Sequence, residues 1–99
     1  MMGLLQKGGR RKELSLDYLE KLWEKQEGKC ALSGLPMTYI RGNGRIVSNI
    51  SIDRIDPTKG YTESNIQLVC GQVNVMKYTA TTEELLYWCR AILQNHGLN

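Results

Sequence analysis

A chain of 99 residues with a net charge of +3 has room for one small domain and one modest core. No apolar run approaches the roughly 20 residues that a bilayer crossing takes. The opening MMGLLQKGGRRKEL has no apolar stretch long enough for a signal peptide, so a cytoplasmic, unprocessed chain is expected. The three cysteines, Cys30, Cys70 and Cys89, are an odd number, which argues against a disulfide framework. The single histidine, His96, excludes a His-rich metal centre and any catalytic scheme that needs two histidines.

In chain order, residues 1–13 are rich in glycine and charge and lack periodicity, and read as a flexible basic arm. Residues 14–99 read as the single domain. Ser15 is a good N-cap for a helix starting at Leu16, and Leu16, Leu19, Leu22 and Trp23 give it one apolar face. Gly28 is expected to end this helix. Cys30 to Pro36 reads as a tight turn, with Gly34 free to take positive φ. Met37 to Asn49 reads as an irregular excursion around a Gly42-Asn43-Gly44 turn. Ile46, Val47, Ile50 and Ile52 suggest a strand ending at Asp53, Arg54 and Ile55. Asp56 to Gly60 is turn chemistry, with Gly60 free to take positive φ. Ile66, Leu68 and Val69 are either a second strand or the lead into a helix. Gln72 to Lys77 reads as a short helix with Val73 and Met76 inward. Thr81 and Glu84 form a capping box for a last helix. Its core face would be Leu85, Leu86, Trp88, Cys89 and Ile92, and Asn95 and Gly97 would end it. Trp23 and Trp88 are both expected in the core.

The stretch from Ser51 to Lys77 carries the functional signal. Asp53, Asn65 and Asn74 are hard oxygen donors of the kind that suit Mg²⁺, Mn²⁺ or Ca²⁺, and Lys59 and Lys77 flank them. Oxygen donors beside lysines suit a divalent ion held against a phosphate. If the short helix packs across the hairpin, Asp53 and Asn74 can point into one cleft. One carboxylate and one carboxamide suffice for Mg²⁺, which keeps several waters and takes other ligands from substrate phosphate. Asn65 is placed to brace the intervening loop through hydrogen bonds to backbone. The basic residues Arg10, Arg11, Lys12, Arg45, Arg54, Lys59 and Lys77 read as contacts that track a nucleic-acid backbone. For residues 1–12 a solubilising tail is an equal alternative.

This segment resembles the core of the HNH, or His-Me finger (ββα-metal), nucleases of the small phage and prophage type. Members carry an Asp-His or His-His pair at a strand end, an Asn some eleven positions on, and a His or Asn nine further. Asp53-Arg54, Asn65 and Asn74 stand at those positions, and the run from Gln26 to Gly34 is similar to the family's lead-in. The likeness spans roughly residues 15–90. It implies an α+β fold: a ββα-metal core made of a short β-hairpin with a packed helix, flanked by N- and C-terminal helices. It implies Asp53 and Asn74 as ligands of one Mg²⁺ or Mn²⁺, and Asn65 as the residue that holds the catalytic loop. The implied activity is metal-dependent hydrolysis of phosphodiester bonds in double-stranded DNA, nicking or cutting both strands, in a bacterial host cell and with no membrane partner.

Two departures matter. Arg54 stands where most members have the general-base histidine, and a guanidinium with a pKa above about 12 cannot take a proton from water at neutral pH. Arg54 is expected instead to clamp the scissile phosphate. Asp56 is the first candidate to activate water, with a substrate phosphate oxygen, Tyr61, Tyr78 and metal-bound hydroxide as alternatives. Many relatives also bind a structural zinc through two Cys-x-x-Cys pairs. Here Ser33 and Val73 stand at the second positions, so no zinc is expected. Cys30 and Cys70 should be small buried residues in mutual contact. The rival readings are an HNH-like DNA-binding module without cleavage, and an interaction domain whose basic arm docks an acidic partner.

Overall fold

A computed structural model of the chain describes residues 14–42 and 44–98. The expected basic arm, with Arg10, Arg11 and Lys12, and the loop residue Asn43 lie outside the described residues. Among the described residues the order of elements is α1 (Leu16–Lys25), β1 (Ile50–Arg54), β2 (Ile66–Cys70), α2 (Gly71–Lys77) and α3 (Thr82–Asn95), with a 3₁₀ turn at Glu63–Asn65 before β2. This is the α+β arrangement expected: an antiparallel hairpin, a helix following its second strand, and flanking helices. No helix among the described residues is long and apolar enough to cross a membrane.

Helix α1 starts as its sequence dictates, with the Ser15 hydroxyl accepting from the Tyr18 amide at 3.0 Å. It ends at Lys25, before Gly28. The amides of Glu27 and Gly28 turn back onto the carbonyls of Glu24 and Trp23, both at 3.0 Å, which is a Schellman closure. Glu27 takes the left-handed position with φ 57°, where glycine is the usual occupant. Gly28 follows at φ 70°, directly under the Trp23 ring. Leu19 is buried, and Leu16, Leu22 and Trp23 pack on the core from the same face.

The 66–70 run is a strand. Its register pairs Ile50 with Cys70, Ile52 with Leu68, Asp53 with Gln67 and Arg54 with Ile66. Ile52, Leu68 and Val69 are among the most deeply buried side chains, and Cys30, Met37, Ile66 and Cys70 complete the core around them. Gln26 acts where a third strand would otherwise pair. Its side-chain amide donates to the Leu68 carbonyl at 2.9 Å and accepts from the Leu68 amide at 3.0 Å.

Strand β1 begins at Ile50, four residues later than Ile46 and Val47 suggested. Residues 46–49 form a turn instead, because their carbonyls have another use. Cys70 offers α2 no side-chain cap. The first α2 amides, of Gly71 and Gln72, donate to the carbonyls of Asn49 (2.8 Å) and Val47 (3.0 Å). The Cys30–Pro36 turn forms as expected, with Gly34 at φ 75°. Gly60, by contrast, is not among the positive-φ glycines.

Helix α3 has the expected capping box: Thr81 Oγ1 accepts from the Glu84 amide, and Glu84 Oε1 accepts from the Thr81 amide. Its expected core face is corrected. No α3 residue is fully buried, and Leu86, Trp88 and Ile92 are more than half exposed, with Trp88 at 62%. Met76 of α2 is also exposed, at 54%, against the inward placement expected. Leu85 and Cys89 are half-buried beside Leu32, Val73 and Met76, around an open groove of about 200 Å³. The core is already filled by the hairpin, α1 and the 30–37 turn, so α3 leans on α2 and leaves most of its apolar surface in solvent.

Candidate functional site

Side chains two apart on a strand share a face, and side chains three apart on a helix share a side. Ser51 and Asp53 therefore face the same way on β1, and Asn74 and Lys77 face the same way on α2. The two pairs meet. Asn74 Nδ2 donates to Ser51 Oγ, and Lys77 Nζ donates to Asp53 Oδ1 at 3.1 Å. The short helix thus lies across the hairpin as expected, with Asn74 and Asp53 at neighbouring stations of one interface. Each has its own protein partner there.

Asp53 and Lys77 are a buried ion pair, 4% and 1% exposed. Two more bonds complete it. Gln67, opposite Asp53 in the register, donates through Nε2 to Asp53 Oδ2 at 3.0 Å. Lys77 Nζ also donates to the Arg54 carbonyl at 2.9 Å. Among the described residues no buried side-chain polar atom lacks a partner. The pairing is what makes the burial tolerable, because an isolated buried charge costs several kcal/mol, of order 3–5. Lys77 was expected to face nucleic acid as a surface cation. It does not: its ammonium is inside, because the helix turn that brings Asn74 to Ser51 also brings position 77 over Asp53.

Arg54, one residue on, has its side chain on the other face of β1. Its Nη1 donates to the Lys59 carbonyl at 3.2 Å, and its guanidinium lies 5.1 Å from the Tyr61 ring centre. Arg54, Tyr61 and exposed Lys59 therefore gather on the 55–62 loop. Arg45 is exposed and donates to the Gly71 carbonyl at 3.4 Å.

Asp56 serves the turn. Its Oδ1 accepts from the Thr58 amide at 2.9 Å and the Thr58 hydroxyl at 2.7 Å. Those bonds hold its carboxyl below the usual range, with smaller help from the charges of Lys59 and Lys77. A carboxylate made more acidic is a weaker proton acceptor, so its surroundings do not favour work as a general base. Asn65 is buried and has the bracing role expected. Its Oδ1 accepts from the Asp56 amide at 2.9 Å, and its Nδ2 donates to the carbonyls of Asp56 (3.0 Å) and Gly60 (2.9 Å). Its own carbonyl accepts from the Ile55 amide at 2.8 Å. One side chain thus closes both ends of the loop that carries Arg54's partners.

Cys30 and Cys70 are buried together in the core. Burial pushes the Cys30 thiol up, but the Ser33 hydroxyl and the amides of Ser33, Cys70 and Leu32 outweigh it and bring the thiol below its ordinary value. Cys30 is therefore a hydrogen-bond acceptor within its turn as well as a small core residue. Among the described residues no three His, Cys, Asp or Glu side chains stand together as a metal-holding group.

The residues that sequence reasoning missed are Ser51 and Gln67. Period-two alternation from Asp53 points to Ser51, whereas Gln67 needs the strand register, which no local signal gives. A divalent ion at this site would have to come to Asp53 and Asn74. Their chemistry suits it. Among the described residues each Asp53 oxygen accepts a single side-chain hydrogen bond and keeps further lone pairs, and Asn74 uses its side-chain N–H on Ser51 while its Oδ1 accepts none. One carboxylate and one carboxamide are hard oxygen donors for Mg²⁺ or Mn²⁺. Compared with known proteins, the chain matches no family model, no curated protein and no solved structure.

Proposed function

We propose that this chain is a divalent-metal-dependent endonuclease of the HNH, or His-Me finger, type that hydrolyses phosphodiester bonds in double-stranded DNA. The observation that supports this most is the meeting of β1 and α2, which puts the Asp53 carboxylate and the Asn74 carboxamide on one interface beside the loop braced by Asn65. Asp53 and Asn74 would hold one Mg²⁺ or Mn²⁺, which supplies charge stabilisation for the phosphate and its leaving oxygen. Gln67 orients the carboxylate. Lys59 and Arg45 supply cations to phosphates from exposed loops and Arg54 from the end of β1, and Arg54, always protonated, binds and does not accept a proton.

Supercoiled plasmid tests this directly. Nicking should require Mg²⁺ or Mn²⁺, stop with EDTA, and be lost in Asn74→Ala, which leaves the Asp53–Lys77 pair intact. Plasmid left supercoiled across several divalent ions overturns the enzyme reading.

The ion pair also favours a second reading, a DNA-binding module without cleavage, since Asp53 is already neutralised and Arg54 stands at the base position. That reading expects DNA binding that weakens with salt, each phosphate contact adding about 0.9 to the log–log slope, and no nicking.

A further inference from the structure

We propose that Lys77 is an internal cation that competes with the divalent ion for Asp53, so that metal binds by displacing the ammonium. This rests on Asp53 being a metal ligand, as in the function proposed above.

Three features of the geometry support the exchange. Lys77 Nζ occupies only Oδ1 of Asp53, while Gln67 holds Oδ2, so the carboxylate keeps its orientation when the ammonium leaves. The ammonium has a second acceptor, the Arg54 carbonyl at 2.9 Å, which it can keep after losing Asp53. Asn74 belongs to neither bond, and its side-chain oxygen is a hard donor suited to the ion. The exchange therefore breaks one ion pair and does not require the Gln67–Asp53 or Asn74–Ser51 bond to break. The ammonium 3.1 Å from Asp53 already neutralises it, and parting the two leaves a buried ammonium beside the incoming ion, so the pair weakens metal binding. The same ammonium keeps the site folded without metal, because an unpaired carboxylate there would be buried and uncompensated.

Mn²⁺ binding to the full chain, followed by electron paramagnetic resonance without DNA, reads the competition. Lys77→Met should bind Mn²⁺ at least about tenfold more tightly than the native chain. Equal or weaker binding, with circular dichroism showing a folded variant, overturns the proposal. The native chain gives a second measurement should Lys77→Met fail to fold. A buried, hydrogen-bonded lysine ammonium gives its own ¹H–¹⁵N signal, and titration with Mg²⁺ should shift it together with the Asn74 side-chain amide. If Asn74 shifts and Lys77 does not, the competition is wrong and the metal site stands. If neither shifts up to saturating Mg²⁺, the competition and the metal-dependent function fall together.

Discussion

The hairpin with α2 and the terminal helix α3 handle polarity in opposite ways. The first buries a lysine, an aspartate and an asparagine and gives each of their side-chain polar groups a partner. The second is rich in leucine, isoleucine and aromatics and leaves most of them in solvent, with Tyr87 and Trp88 stacked edge to face on its surface. In a chain this short there is one modest core, and the hairpin, α1 and the 30–37 turn fill it, although α3 follows α2 after only four residues. Burial here follows topology as much as side-chain polarity.

The most disruptive way to break the contrast is to remove half of the ion pair. Lys77→Met or Asp53→Leu alone should cost about 3–5 kcal/mol in urea unfolding, because each strands a buried charge. The double replacement should cost less than either single change. Additive costs would mean that the two charges do not interact.

Next comes the loop brace. Asn65→Ala leaves the Asp56 amide and the carbonyls of Asp56 and Gly60 without their partner. It should cost about 1–3 kcal/mol. Amide hydrogen exchange at Asp56 should speed up while exchange at Leu68 follows only the global loss.

The contrast sharpens on α3. Trp88→Ser should change stability by no more than about 0.5 kcal/mol despite the size of the side chain. A larger loss in chemical denaturation would show that α3 is covered in solution.

The smallest effect is a pH slope. Asp56 has a depressed folded pKa, so its contribution is present above its unfolded value and is lost as pH falls through the folded one. Thermal melts below about pH 4 should therefore fall less steeply in Asp56→Asn than in the native chain.

Much of this fold is legible in the residues. The caps at Ser15 and Thr81 and the spacing of Leu16, Leu19 and Trp23 act within one or two turns, so local chemistry decides them. Asn65 is legible for a similar reason, since its partners lie within nine residues. What escaped reading depends on distant partners. Ile46 and Val47 look like strand, but their turn supplies the carbonyls that α2 lacks. Lys77 looks like a surface cation until the crossing of α2 over β1 is known. The periodicity of α3 identifies a helix and its apolar side, but the presence of anything packed against that side is a property of the whole chain. Within the candidate site, the residue types of Asp53 and Asn74 could be read directly, whereas Gln67 required the register and the pairing with Ser51 and Lys77 required the crossing of α2 over β1.

The side chain of Gln26 has one more consequence. A two-stranded ribbon has open borders on both sides, and an open border invites another extended segment to zip onto it. By clasping both backbone groups of Leu68, Gln26 takes away the rung at the most deeply buried point of β2. Together with the Ala31 amide, which donates to the same carbonyl at 2.9 Å, it works as a guard against unwanted strand addition, in a protein whose small sheet could not close on itself.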